Sequence, residues 1–242
     1  MTAAIHTTDL TKRYGDLTAV DALNLDVAEG ELFALLGTNG AGKTTTIKML
    51  SCLIRPTSGE ASILGNDLRT GEQAIKQATN ISPQETAVAP NLTVMENLEL
   101  IAEVYGAAGA AAKARARDMV EQFGLQDVVK KRAKTLSGGM QRRLSIAMGL
   151  ISDPKLLFLD EPTLGLDVLA RRELWHAIKA LKGKVTIILT THYMEEVEAL
   201  ADRIGVMSRG RLLAIGTTAE LQALTSTESL EDAFVTLAGG AQ

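Results

Sequence analysis

The chain has 242 residues, with 25 Lys and Arg against 29 Asp and Glu, a net charge of −4 and a sequence pI near 5.5. That length can bury a sizeable core, as one large domain or a domain with a small inserted lobe, and the acidic balance gives no electrostatic reason to bind nucleic acid or an anionic membrane surface. A single cysteine, Cys52, excludes an internal disulfide and fits the reducing cytosol, where it reads as a small hydrophobe buried on a helix.

The start, Met1-Thr2-Ala3-Ala4-Ile5-His6, has no basic region followed by an apolar one, so no secretory signal is expected. No apolar run approaches the ~18 residues of a membrane span, so the chain reads as soluble, with any membrane role coming through a partner. The first elements are β-like. Ala19 to Val27 alternates apolar and polar residues, as a half-exposed strand does. Ala28-Glu29-Gly30 is a turn, and Leu32 to Leu36 is apolar throughout, as expected of a strand buried on both faces. Gly37 to Gly42 is glycine-rich, and Lys43 to Ile54 reads as a helix stopped by Arg55-Pro56.

Between Val88 and Lys134 the texture turns helical. Thr93 and Glu96 are spaced as a capping box at the head of Val94 to Ile101. Ala107 to Ala116, interrupted by Gly109, reads as an exposed helical lobe, since alanine is the best helix former. Lys130, Lys131, Arg132 and Lys134 read as a solvated helix end. After Met140 a helix runs to about Ser152 and ends at Asp153-Pro154. Leu156 to Leu159 is a second fully apolar strand, Leu169 to Leu181 a helix, Val185 to Leu189 a third apolar strand and Tyr193 to Ala201 another helix. Ile204 to Met207 and Arg211 to Ile215 make a hairpin around Ser208-Arg209-Gly210, with short helices beyond. Apolar strands alternating with helices predict an α/β fold with a parallel sheet flanked by helices, an antiparallel β subdomain at the N-terminal side and a helical insert; with the glycine-rich loop at Gly37 to Gly42, this is a P-loop NTPase core, a phosphate-loop nucleoside triphosphatase. One domain is expected over 1–242, with the helical subdomain at about 88–152 and a C-terminal helical tail at about 217–242.

Gly37-Thr38-Asn39-Gly40-Ala41-Gly42-Lys43-Thr44 matches G-x-x-x-x-G-K-[ST] between a buried strand and a helix, the context that pattern requires. Glycines let backbone N–H groups turn inward around a polyanion, and the helix N-terminus adds partial positive charge. Lys43 supplies a full charge between the β- and γ-phosphates, and the Thr44 hydroxyl suits magnesium, a hard cation that prefers oxygen. Asp160, at the carboxyl end of Leu156-Leu157-Phe158-Leu159, is placed to hold magnesium through water. Glu161 is then placed to orient or deprotonate the water that attacks the γ-phosphate.

The whole set of motifs resembles the ATP-binding-cassette ATPases, in order and over nearly the whole chain. Gln84, after Ile81-Ser82-Pro83, is similar to the family's Q-loop glutamine. Leu136-Ser137-Gly138-Gly139-Met140 is similar to LSGGQ, Leu164-Gly165-Leu166-Asp167 to the D-loop, and His192 to the switch histidine. Tyr14 matches the aromatic that stacks on adenine. The resemblance implies ATP and Mg2+ as ligands, with Gln84 reaching the metal and the attacking water. It implies two copies closing over two nucleotides, each held by Gly37, Thr38, Asn39, Gly40, Ala41, Gly42, Lys43, Thr44 and Thr45 of one chain. Ser137, Gly138, Gly139, Met140 and Asp167 of the other chain complete each site. A homodimer, or a pair with a similar ATPase, would then drive an integral membrane permease subunit, facing it with Glu85 to Met95 and lying peripherally on the cytoplasmic face of the membrane. No nucleic-acid partner is implied.

The chain departs from the family pattern in three places. Thr38 stands where proline is common, Met140 replaces the glutamine of LSGGQ and Leu164-Gly165 stands where Ser-Ala is frequent. Glu161 to Asp167 and the ending Ser229-Leu230-Glu231-Asp232-Ala233-Phe234 resemble the branch serving prokaryotic ABC-2-type exporters of drugs, lipids, polysaccharides or peptides. A soluble ATP-driven clamp is the rival, but the long coiled coil or second cassette usual in clamps is absent. A regulatory sensor would be expected to have a degraded Glu161 or His192, and both are intact. His6 and His176 lack such companions and read as structural.

Overall fold

The computed structural model describes residues 3–239. From the N-terminus come β1 (Ala3–Tyr14), β2 (Leu17–Ala28), β3 (Leu32–Gly37), α1 (Lys43–Leu50), β4 (Ser58–Ile63), β5 (Asn66–Asp67), α2 (Glu72–Ala78) and β6 (Thr79–Ser82). The helices α3 (Val94–Val104), α4 (Ala110–Gln122) and α5 (Gly138–Leu150) follow without an intervening strand. The chain then alternates β7 (Leu156–Asp160), α6 (Val168–Lys179), β8 (Thr186–Thr191) and α7 (Met194–Leu200), and ends with β9 (Arg203–Ser208), β10 (Arg211–Gly216), α8 (Thr218–Thr225) and α9 (Leu230–Gly239).

The fully apolar strands decide the layering. Every residue of β3, β7 and β8 is buried, so each strand must have protein on both faces. Side chains alternate across a strand, and here the alternation divides the core in two. Leu32, Ala34, Leu36, Leu157, Leu159, Ile187 and Leu189 face a core built with the helices from α3 onward. Phe33, Leu35, Leu156, Phe158 and Ile188 face a second core with α1 and the antiparallel strands. The sheet order is β10-β9-β3-β8-β7-β6, with β9 through β6 parallel and β10 closing antiparallel, while β2-β1-β4-β5 forms a separate antiparallel sheet. Arg209 and Gly210, at φ 48° and 81°, make the tight hairpin turn between β9 and β10.

Two helix boundaries differ from the sequence expectation. The helix expected from Lys43 to Ile54 ends at Leu50, because Cys52 turns into the left-handed region at φ 58°. Cys52 N–H donates to Met49 O (3.0 Å) and Leu53 N–H to Lys48 O (2.9 Å), a Schellman cap that satisfies the last carbonyls. Cys52 is therefore not on a helix; it is half-buried in the cap. The alanine-rich helix starts at Ala110 rather than Ala107, after the left-handed Gly106 and Gly109, and buries Ala112, Ala116 and Val120. The capping box at Thr93 is formed in both directions, Glu96 N–H to Thr93 Oγ1 (3.2 Å) and Thr93 N–H to Glu96 Oε2 (2.7 Å).

Candidate active site

Parallel strands place all their carboxyl ends on one edge of the sheet, where ligands of open α/β sheets bind. Four adjacent strands here deliver chemistry to that edge. β3 runs into the glycine loop, β8 ends in Thr190-Thr191 before His192, β7 ends in Asp160 before Glu161, and β6 leads to Gln84. The register holds them level, with Asp160 opposite Thr190, Leu36 opposite Thr191 and Ser82 opposite Leu159.

The loop is shaped by close approach. Gly42 has φ 101°, and a Cβ there would lie 2.5 Å from Ala19 O, so only glycine fits before α1. No side chain caps the first turn of α1, which leaves its N–H groups directed at whatever enters the loop. Lys43 is buried, and its Nζ donates to Gly37 O (2.9 Å) and Thr38 O (3.2 Å). It also lies 3.3 Å from Glu161 Oε1.

Asp160 and Glu161 are adjacent in sequence but differ in environment. Asp160 Oδ1 accepts from the hydroxyls of Thr44 (3.1 Å) and Thr190 (2.5 Å), which fixes its orientation beneath the loop. Thr44 and Asp160 thus place two hard oxygen donors together, a fit for magnesium, which holds few protein ligands and keeps several waters. Glu161 sits at φ 47°, a conformation unfavourable for a side chain with a Cβ, and its N–H donates to Thr190 O (3.0 Å). That turn aims its carboxylate at Lys43 on one side and at His192 on the other, where Nδ1 lies 3.1 Å from Oε2 but off the hydrogen-bonding direction.

These groups open on a cleft of about 780 Å³. Its lining includes Tyr14, Asn39, Gly40, Ala41, Gly42, Lys43, Thr44, Thr45, Gln84, Glu161 and His192. Tyr14 is half exposed there, with Lys12 Nζ 5.0 Å from its ring centre. Gly37 and Thr38 do not line the cleft; they act from behind it through their carbonyls. A larger groove of about 830 Å³ between α2 and Tyr105 has no comparable set of groups, so volume does not mark the site. His6 is exposed and pairs with Asp26 Oδ1 at 2.5 Å; it does not line the cleft.

Ser137, Gly138, Gly139 and Met140 are not among the cleft's lining residues, and neither is Asp167. Ser137 caps α5 by accepting from Met140 N–H (3.3 Å), and Asp167 caps α6 by accepting from Ala170 N–H (2.9 Å). The two caps abut, since a Cβ on Gly139 would lie 2.8 Å from Ala170 Cβ. Met140 is half-buried against the helical core.

Sequence reasoning missed Arg142, Thr190 and Glu196. Arg142, on α5, is buried and donates to backbone carbonyls of Pro83, Gln84, Asp160 and Pro162. Burial lowers its guanidinium to about 10, against the pull of Asp160 and Glu196. The only signal in sequence was an arginine among basic helix neighbours, where a solvated face is the ordinary reading.

A glycine loop, a lysine, two carboxylates and a histidine delivered by neighbouring parallel strands define a phosphate-loop nucleoside triphosphatase. The chain belongs to the ABC transporter family, whose model matches residues 20–164. It is 43% identical over 222 residues to the daunorubicin/doxorubicin resistance ATP-binding protein DrrA of Streptomyces peucetius, a match covering 91% of this chain and 67% of that one. A solved ATP-binding subunit of an ABC transporter superposes with a TM-score of 0.85 at 30% identity, covering 97% of this chain and 99% of that one. An ATP-binding cassette solved as a dimer in a post-hydrolysis state with ADP and Pi superposes at 0.79 and 26% identity, covering 88% and 98%. The chain is an ATP-binding and ATP-hydrolysing subunit of the ABC transporter kind.

Proposed function

We propose that two copies of this chain close around two Mg-ATP molecules and that the closing and opening drives a separate membrane-spanning exporter subunit. The observation that carries this reading is the composition of the cleft. Lys43, Thr44, Gln84, Glu161 and His192 converge on it, yet the chain's own Ser137-Gly138-Gly139 turn is not in its wall. A second copy can supply that turn, and the dimeric solved cassette supports such an arrangement. The resistance function in the name of the Streptomyces relative supports export. No helix among the described residues is long and apolar enough to cross a membrane, so attachment to the cytoplasmic face would come through the permease, with Glu85 to Met95 facing it.

In this reading each cleft residue has a role. The N–H groups of the loop and Lys43 bind the phosphates, and Tyr14 stacks on the adenine. Thr44, Asp160 and Gln84 would hold a magnesium ion, which would supply positive charge against the phosphates. Glu161 Oε accepts a hydrogen bond from the attacking water and takes its proton as the γ-phosphoryl group transfers. His192 contacts the γ-phosphate and orients Glu161. The Ser137 hydroxyl and the N–H groups of Gly138 and Gly139, from the other copy, hold the γ-phosphate from the far side, with Met140 and Asp167 beside them. Catalysis is then positioning and fixed dipoles, worth most in a closed interface without bulk water.

A cross-linking experiment tests the shared site. In a Cys52→Ser, Glu161→Gln background, Asn39→Cys and Ser137→Cys should oxidise to a covalent dimer with Mg-ATP and not with ADP. Monomers only under both conditions would contradict the reading.

A further inference from the structure

Arg142 lies five residues after Ser137 on α5, about 7.5 Å further along the helix axis at the usual rise per residue. It is 4% exposed, and its donors are spent on main-chain oxygens: Nε on Pro162 O (2.8 Å), Nη2 on Asp160 O (2.8 Å), and Nη1 on both Pro83 O and Gln84 O (3.2 Å). It forms no ion pair among the described residues. Burying a cation is unfavourable, and a plug that only filled space would not need one. The feature that arginine alone provides is a planar fork addressing several acceptors at fixed angles.

Those acceptors are not scattered. Asp160 and Pro162 flank Glu161, so one guanidinium grips the backbone on both sides of the left-handed residue that carries the base. Pro83 and Gln84 belong to the loop that brings the glutamine to the cleft. The same helix begins at the Ser137 cap, which is not in the wall of this chain's own cleft.

We propose that Arg142 is a positioning residue that joins the two shared sites. Engagement of the Ser137-Gly138-Gly139 turn by one nucleotide moves or fixes α5, and Arg142 passes that state to Gln84 and Glu161 beside the other nucleotide. The inference rests on the shared-site reading above. It predicts that each site senses the occupancy of its neighbour through a single side chain that touches neither nucleotide.

The test is steady-state ATP hydrolysis by Arg142→Lys, which keeps the charge and loses the fork. Expected are a fall in kcat of at least about tenfold, a KM for ATP within about threefold and a Hill coefficient dropping from near two towards one. A kcat within about twofold with the Hill coefficient unchanged would overturn the proposal. If Arg142→Lys also added its full effect in a Gln84→Ala background, transmission through Gln84 would be refuted, since coupled residues are non-additive. Should the variant melt below the assay temperature, hydrogen exchange on a folded protein decides the matter. Mg-ATP should protect residues 82–86 and 160–163 more strongly in the Glu161→Gln chain than in a Glu161→Gln, Ser137→Arg chain; equal protection in both would overturn it. A wild-type chain that hydrolyses ATP with a Hill coefficient of one would instead bring down the shared-site reading itself.

Discussion

Glu161, Lys43 and His192 form a contact chain in which the carboxylate stands between a buried ammonium and an imidazole. Lys43 is the only one of the three with donors spent on the loop carbonyls, so its removal should disorganise the loop as well as remove charge. Lys43→Ala is expected to lower ATP turnover by at least about a hundredfold in a coupled assay, and unchanged turnover would dismiss the phosphate-loop assignment. Met140 gives a contrasting case. From sequence it stood out as a missing amide, whereas its side chain packs half-buried against the helical core while its N–H completes the Ser137 cap. Met140→Gln should therefore change kcat by no more than about threefold and lower stability by about 1 kcal/mol, a polar group having been placed against an apolar wall. A tenfold gain in turnover would mean that the amide matters more than the packing. At Tyr14, stacking predicts that Tyr14→Ala weakens ATP binding far more than Tyr14→Trp, with equal losses excluding it.

Elements were legible where one signal dominated. β3, β7 and β8 announce themselves because strands buried on both faces are apolar through their middles, and those same strands lead into the residues proposed to act on the nucleotide. β6, Thr79-Asn80-Ile81-Ser82, is at the sheet edge and carries mostly polar side chains, so no periodicity marks it, although it delivers Gln84. β1 is broken by register shifts against β2, which destroys the alternation a reader would look for. The end of α1 was hidden for a different reason: a left-handed cap usually recruits glycine, and here it holds Cys52. Cys52→Gly should relieve that strain and raise stability by about 0.5–1 kcal/mol in chemical denaturation. A loss of stability would mean that the half-buried thiol contributes more than its backbone costs. Arg142 escaped because no sequence pattern distinguishes an arginine that faces four carbonyls from one that faces water.

On the scale of the molecule, one buried carboxyl lies next to the site without entering it. Glu196 on α7 is fully buried and accepts from Trp175 Nε1 (3.2 Å). Burial pushes its carboxyl up from 4.5, against the pull of Thr191, Thr163, Trp175 and Arg171. The folded state then holds this proton more tightly than the unfolded one, so the stability it contributes is complete below about 4.5 and is lost as pH rises through the raised value. Glu196→Gln, which cannot titrate, should gain on the native chain as denaturation is measured from pH 5 to 9; parallel curves would refute this.

The same scale carries the shared site. Leu164, Val168 and Leu169 expose apolar side chains near the Ser137 and Asp167 caps, while Leu174 and Ile178 further along α6 are buried. The direct measurement is the mass of Glu161→Gln by light scattering with saturating Mg-ATP and with Mg-ADP. A mass twice the chain's 25.7 kDa with ATP, and a single chain with ADP, is the predicted result. A monomer under both conditions would contradict the shared site.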